Sequence, residues 1–127
     1  MANPSITNAT AIGKEVIRRS YVDGAAESES TILAGVANHI MTVLSIIICE
    51  RNNIADTTFK LYIDYDLGGT DCYLMQTTSL PAMGTYVWND RFAITETDKL
   101  IILGASASGT ADMDIWCTYI DQQFAAP

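Results

Sequence analysis

Short apolar segments separated by turn-forming residues recur between residues 30 and 122, and helical periodicity is almost absent. Seven or eight such segments can be counted, with Gly, Asn, Asp or Pro between them. Short strands at this spacing are typical of a β-sandwich or a jelly roll. The sequence therefore predicts an all-β fold of about seven or eight antiparallel strands.

Two segments carry the strand pattern most clearly. TTFKLYIDY places four residues on one face and polar residues between them: Phe59, Leu61, Ile63 and Tyr65. MDIWCTYIDQ does the same with Met113, Ile115, Cys117 and Tyr119. Strict alternation indicates half-buried strands. The glycines of DLGGTD, which follow the first segment, predict a hairpin turn.

The longest apolar run, Ile40 to Cys49, has ten residues. A helix needs about 20 to cross a bilayer, so no membrane partner is expected. Successive residues of a strand point to opposite faces, and this run has apolar residues on both, as in a strand that is covered on both faces. One set of side chains could face the interior of the sandwich: Thr42, Leu44, Ile46 and Ile48. Four residues on the opposite face would then need to be covered by the N-terminal segment or by another subunit: Met41, Val43, Ile47 and Cys49.

The 127 residues predict an N-terminal arm at 1–27 and a β-sandwich domain at 28–127. The first residues show no secretory leader, so the chain is expected to fold where it is made. Residues 1–20 sum to +2 and the remainder to -10, within a net charge of -8. This asymmetry is either scatter or the mark of an arm that docks on an acidic neighbour. The arm's candidate contact residues are Ile12, Val16, Ile17, Arg18 and Arg19.

The net charge of -8 argues against a nucleic-acid partner, because an acidic surface repels phosphates. Three distant cysteines, Cys49, Cys72 and Cys117, form no metal-binding pattern and are interpreted as buried free thiols. The sequence suggests neither a cofactor nor a metal.

Residues that could support catalysis are sparse. His39 is the single histidine, and it stands where a loop enters the long apolar run, a usual place for a polar residue. Two acidic pairs, Asp64 with Asp66 and Asp112 with Asp114, could bind calcium or cleave glycosides. Solvated charges at strand edges, which discourage edge-to-edge aggregation, are the simpler explanation of these pairs. We therefore do not expect an enzyme.

The aromatic residues suggest contacts with a partner. Tyr62 and Trp116 occupy the polar positions of their strands, and Tyr86 and Trp88 share one face of a short strand. Trp116 could contact another subunit, lie beneath the N-terminal arm or stack on a sugar. Trp88 and Trp116 are both candidate partner-binding residues.

The order of these segments resembles small all-β virion proteins of tailed bacteriophages. The resemblance covers roughly residues 30–122 and is mostly a pattern of core positions and turns. Its matching segments are Thr42–Cys49, Phe59–Ile63, Leu80–Trp88, Asp98–Ile101 and Tyr119–Asp121.

This resemblance implies a capsid decoration or cement protein, with no catalytic residues. The implied partners are the major capsid protein and further copies of the chain, usually as a homotrimer. The implied location is the capsid surface of a virion assembled in the host bacterial cytoplasm. The alternative is a tail or fibre module that binds a host surface glycan.

Overall fold

The computed structural model describes residues 16–25, 27–53, 57–65, 69–106 and 111–123. These ranges contain nine strands and no helix: β1 (Val16–Ala25), β2 (Ser30–Ala34), β3 (His39–Glu50), β4 (Thr57–Asp64), β5 (Asp71–Leu80), β6 (Thr85–Trp88), β7 (Phe92–Thr95), β8 (Lys99–Ser106) and β9 (Met113–Gln123). The predicted all-β class is confirmed, with eight strands from β2 to β9. None of the described segments is a helix that could span a membrane.

The strands form two antiparallel sheets. In the first sheet the order is β1-β9-β3-β6, and β7 also pairs with β3. The second sheet has the order β2-β8-β4-β5. Asp64 lies opposite Asp71, so β4 and β5 form the predicted hairpin, although residues 66–68 of its turn lie outside the described residues.

The core contains buried side chains from both sheets. Ile46 and Ile48 of the first sheet belong to one cluster with Phe59 and Leu61 of the second. The alternation predicted for β9 is confirmed, since its inward side chains are all buried: Met113, Ile115, Cys117 and Tyr119. This cluster holds the two sheets together as a sandwich.

The interior face of β3 differs from the prediction. The pairing of β3 with β9 shifts register between Val43 and Ser45, which marks a β-bulge at Leu44. Because a bulge adds one residue to one strand, it exchanges the two faces beyond it. Met41 and Val43 are consequently buried inside, whereas Thr42 and Leu44 are only half-buried.

Ile46 and Ile48 lie inside as predicted. Of the four residues expected to need a cover from outside the sandwich, the bulge therefore leaves only Ile47 and Cys49 on the outer face. Ile47 is 40% exposed there, and Cys49 is half-buried.

Part of the predicted arm pairs with the sandwich. Strand β1 forms the edge of the first sheet beside β9. The Ser20 hydroxyl donates a hydrogen bond to the carbonyl of Ile32, and Ala25 is buried in the core. The division at residue 27 stays a prediction, and Ile12 lies outside the described residues.

Tyr62 is buried although it occupies a polar position of β4. Its ring contacts Tyr73 with centroids 5.1 Å apart, and its hydroxyl donates a hydrogen bond to Glu29. Loss of solvent, followed by the bond to Glu29, raises the pKa of Tyr62 above its ordinary value. The alternation of residues within β4 could not predict that Tyr62 is buried, because Glu29 precedes β2 and is distant in sequence.

All three cysteines are free, as predicted, but they differ in burial. Cys117 is buried and Cys49 is partly exposed. The prediction of a buried thiol is wrong for Cys72, which is exposed on the edge strand β5. An edge strand lacks a neighbour on one side, so its residues can remain accessible despite apolar sequence neighbours.

We expect Cys72 to react much faster than Cys117 with a thiol reagent at neutral pH. Burial raises the pKa of Cys117 to about 12, so little of the reactive thiolate forms there and the reagent has no access. Mass spectrometry of tryptic peptides after timed alkylation measures both rates. A control in urea should make the two rates similar, and equal rates in the native protein would contradict the placement of Cys117.

Candidate functional site

Four large apolar side chains lie side by side on the outer face of the first sheet. Tyr21 is opposite Trp116, Trp116 is opposite Ile47, and Ile47 is opposite Val87. Directly opposed residues of antiparallel strands share a face. All four are 40–63% exposed, and we call them the exposed row. A contiguous apolar group of this kind commonly marks an interaction surface.

A guanidinium lies along one side of the exposed row. The Cζ atom of Arg19 is 4.9 Å from the ring centroid of Trp116 and 5.7 Å from that of Tyr21. The two rings are nearly parallel, with centroids 6.3 Å apart. Ile17 lies two residues before Arg19 on the same face of β1 and is 72% exposed.

A groove of about 500 Å³ lies on the other side of the row. Its lining includes Tyr21, Trp116, Ile47 and Cys49. The polar part of the lining is formed by Asp23, Arg51 and Asp114. The groove therefore combines aromatic surface with charged groups.

Arg51 joins three carboxylates at this end of the sheet. Its Nη1 atom is 2.6 Å from Asp23 Oδ1 and 3.3 Å from Asp114 Oδ1, and its Nη2 atom is 3.0 Å from Asp112 Oδ2. The hydrogen bond to Asp112, helped by the other two carboxylates, raises the pKa of Arg51. Three carboxylates against one guanidinium leave an excess of two negative charges, and we call these four residues the acidic cluster.

Buried polar contacts position the acidic cluster. The buried Glu50 carboxylate accepts hydrogen bonds from the backbone N–H groups of Asn52 and Asp112, at 3.0 and 3.3 Å. The Arg51 N–H donates to the Asp112 carbonyl at 2.9 Å. These bonds tie the end of β3 to the start of β9.

A glycine turns the end of β1 toward the same cluster. Gly24 has a φ of +72°, which glycine adopts readily, and its N–H donates to Asp114 Oδ1 at 3.2 Å. The pairing of β1 with β9 shifts register between Val22 and Ala25. Asp23 lies within this bulge and reaches Arg51.

The structure brings together some of the predicted contact residues and separates others. Ile17, Arg19 and Trp116 share the outer face. Trp88 instead packs against the core, contacts Phe92 edge to face and donates its indole N–H to the Asp90 carbonyl at 2.7 Å. Val16 is the first residue of β1.

Arg18 belongs to a different cluster. Its Nε is 3.1 Å from Asp121 Oδ2, and His39 donates Nδ1–H to Asp121 Oδ1 at 2.6 Å. Asp121 is buried in β9, and its contacts with Arg18 and His39 link β9 to β1 and β3. This link lies at the opposite end of the sheet from Arg51. This link accounts for the position of His39 at the start of β3.

The acidic pair of Asp112 and Asp114 is neutralised by a guanidinium rather than by a cation site. Asp112 and Asp114 contact Arg51, which supplies the positive charge they would otherwise need from a metal. Within the described ranges, no group of three His, Cys, Asp or Glu side chains could hold a metal ion. Asp66 lies outside those ranges, so the Asp64 pair stays a prediction.

The sequence interpretation missed several residues of this surface: Tyr21, Asp23, Arg51 and Val87. Ile47 was predicted to need a cover from outside the sandwich, and it lies in the exposed row. Alternation along β1 could have placed Tyr21 with Ile17 and Arg19. Nothing local could have placed Val87 beside Ile47, because that contact depends on which strands pair.

No protein family and no curated protein matches the sequence significantly. Solved structures do match the fold. One is a chain of the crystal structure of the T13 viral particle of IBDV, with a TM-score of 0.53 and 11% identity over 89% of this chain and 36% of that chain.

Another match is the D431N mutant VP2 protein of infectious bursal disease virus in derived T=1 particles. Its TM-score is 0.51, with 13% identity over 98% of this chain and 41% of that chain. The chain thus spans about two fifths of the length of these structures. At such identities the likeness concerns the fold alone, a β-sandwich shared with proteins of virus particles.

Proposed function

We propose that this chain is a structural protein of a bacteriophage virion, and specifically a capsid decoration or cement protein. The observation that carries this proposal is the exposed row, a binding surface for a macromolecule rather than for a small substrate. The sandwich fold, which the chain shares with proteins of virus particles, supports it.

Cement proteins act by covering the joints between capsid subunits. Each copy contributes a modest apolar contact, and the repetition of that contact over the shell makes the total large. In this proposal the N-terminal arm, including Ile12, reaches the major capsid protein. The sandwiches contact one another, and the resemblance to phage virion proteins implies three copies per assembly.

Deleting residues 2–15 is expected to abolish binding to capsids while leaving the sandwich folded. This deletion removes Ile12, the predicted contact residue that precedes β1, and it retains β1, which begins at Val16. A deletion through residue 20 is less suitable, because it also removes the Arg18 contact with Asp121 and the Ser20 contact with Ile32. Occupancy on purified heads is measured by quantitative gel analysis after sedimentation.

The control for this deletion is its urea unfolding curve, which should match that of the full chain. Undiminished occupancy on heads by a folded deletion variant would refute the role of the arm. Location on the particle is tested separately by labelling the bound protein and imaging the heads and tails.

A tail or fibre module that binds a host glycan is the second candidate. It is favoured by one observation, the exposed Trp116 beside Asp114 and Arg51 in the groove. This candidate predicts that Trp116→Ala lowers adsorption of particles to cells and leaves the heat resistance of the head unchanged. Lower heat resistance with normal adsorption would favour cementing instead.

A further inference from the structure

We propose that the outer face of the first sheet binds the same face of a second copy of this chain, through a two-fold axis that runs along the exposed row. The inference concerns self-association and does not depend on where the protein is located. It identifies the occupant of the groove as Arg19 of the second copy.

The first argument is the opposite charge on the two sides of the row. Arg19 lies on one side of Tyr21, and Asp23 lies on the other, each two residues away along β1. At about 3.3 Å per residue these positions are each about 7 Å from the row. Asp23 belongs to the acidic cluster, whose net excess is negative.

The second argument is symmetry. A two-fold axis along the row reverses the strand direction of the second copy and leaves its order of strands unchanged. The Arg19 side of each copy then faces the Asp23 side of the other. Two identical ion pairs form, as expected for an isologous interface. A uniformly acidic or basic partner would fit only one of these two sides.

The third argument is the chemistry of the groove. Arg19 already lies over the Trp116 ring within its own chain, so the aromatic pair accepts a guanidinium on one side. The groove exposes the other side of that pair beside Asp23 and Asp114. A guanidinium from the second copy would meet both aromatic and carboxylate groups there.

The area of overlap predicts a weak rather than a permanent contact. Four strands at about 4.8 Å spacing and the length of β9, which has 11 residues, give a face of about 700 Å². A two-fold axis at Trp116 superposes only the seven residues from 113 to 119, or about 440 Å² of this face. Standard interfaces cover about 800 Å² per partner. The exposed row crosses this face at Trp116, three residues from the start of β9 and seven from its end, so we expect a small contact whose population depends on protein concentration.

A charge-exchange experiment tests the proposal. Arg19→Asp places acidic residues on both sides of the row, and Asp23→Arg places basic residues on both sides. Each single variant is expected to weaken self-association about 100-fold or more, because like charges then oppose each other twice. The mass measured by light scattering should fall to half that of the unaltered protein, whether the original assembly is a dimer or a pair of trimers.

Mixing the two single variants in equal amounts should restore the original mass. In the mixed pair, the introduced aspartate of one copy faces the introduced arginine of the other, and the Arg19 that remains faces the Asp23 that remains. A contact between residue 19 of one copy and residue 23 of the other predicts this rescue. Arg91→Asp, an exposed change of the same charge between β6 and β7, is the matched control and should retain the original mass.

Several outcomes would overturn the proposal: an unaltered protein that remains a single chain across a concentration series, an original mass that survives Arg19→Asp, or a mixture that fails to associate. A trimer unaffected by either variant would indicate another interface. Matching unfolding curves for both variants confirm that any loss of mass reflects contact rather than folding.

Discussion

Phe59→Ala is expected to lower the free energy of unfolding by about 3–5 kcal/mol. Phe59 is 1% exposed and lies in β4 between β5 and β8 of the second sheet. Its ring meets that of Tyr86, in the first sheet, edge to face with centroids 5.5 Å apart. The substitution removes a contact between the two sheets and leaves a cavity that the surrounding strands can fill only in part. Urea unfolding followed by circular dichroism measures the loss.

The matched control is Tyr65→Ala, which removes an exposed ring just beyond the end of the same strand. We expect it to change the free energy of unfolding by about 0.5 kcal/mol or less. Phe59→Leu should retain much of the stability, since it keeps most of the apolar contact. Similar losses for Phe59→Ala and Tyr65→Ala would contradict the position of Phe59 between the sheets.

Strand identity was predictable because side-chain alternation is a local property. The burial of Phe59 and Leu61 in β4, and of Met113 and Ile115 in β9, follows directly from it. The hairpin between β4 and β5 was also predictable, since its glycines stand between two adjacent strands.

The bulge in β3 was not predictable. A run that is apolar at both alternating positions fits equally a strand covered on both faces and a strand that exchanges its faces once. The pairing with β9 decides between them, and it places Val43 and Ile46 on the same buried side. The need for an external cover is therefore confined to the part of β3 near Ile47.

The candidate site was predictable only in part. Ile17, Arg19 and Trp116 were singled out from charge and alternation, and they share one face. Trp88 was singled out on the same grounds but lies against the core. The difference arises because β6 is a strand of only four residues, too short for alternation to show which face is inward.

The exposed row also explains why the pairing of β1 matters for assembly. Tyr21 reaches Trp116 only because β1 adds to the edge of the first sheet at β9. The same pairing places Arg19 over the aromatic rings and Asp23 near Arg51. One edge strand, β1, thus supplies both charges on which the proposed two-fold contact depends.

Stability is expected to fall steeply as the pH rises above 9, because a buried thiol keeps its proton only in the folded protein. Burial raises the pKa of Cys117 from 9.0 to about 12. Below pH 9 the thiol is protonated in both states, and its full contribution to stability is present. Above pH 9 the unfolded chain loses the proton first, which lowers the free energy of unfolding by about 1.4 kcal/mol per pH unit. This loss ends near pH 12, where the folded thiol also ionises, at a total of about 4 kcal/mol.

Two tyrosines steepen the decline at higher pH. Burial raises the pKa values of Tyr62 and Tyr119 above their ordinary value of 10.0, so they too ionise first in the unfolded chain. Between pH 9 and pH 10 the largest single contribution is therefore that of Cys117, whose thiol ionises first in the unfolded chain. Urea unfolding in the presence of a reductant, repeated in steps from about pH 8 to pH 10, measures the slope.

The control variants separate this buried thiol from the other titrating groups. Cys117→Ala should be less stable at every pH, because it leaves a small cavity, but its stability should decline less between pH 9 and pH 10. Cys72→Ala, which alters an exposed thiol, should keep the slope of the unaltered protein. If Cys117→Ala declined as steeply as the unaltered protein, ionisation of this thiol would not be the cause of the alkaline loss, and its burial between the sheets would contribute only packing.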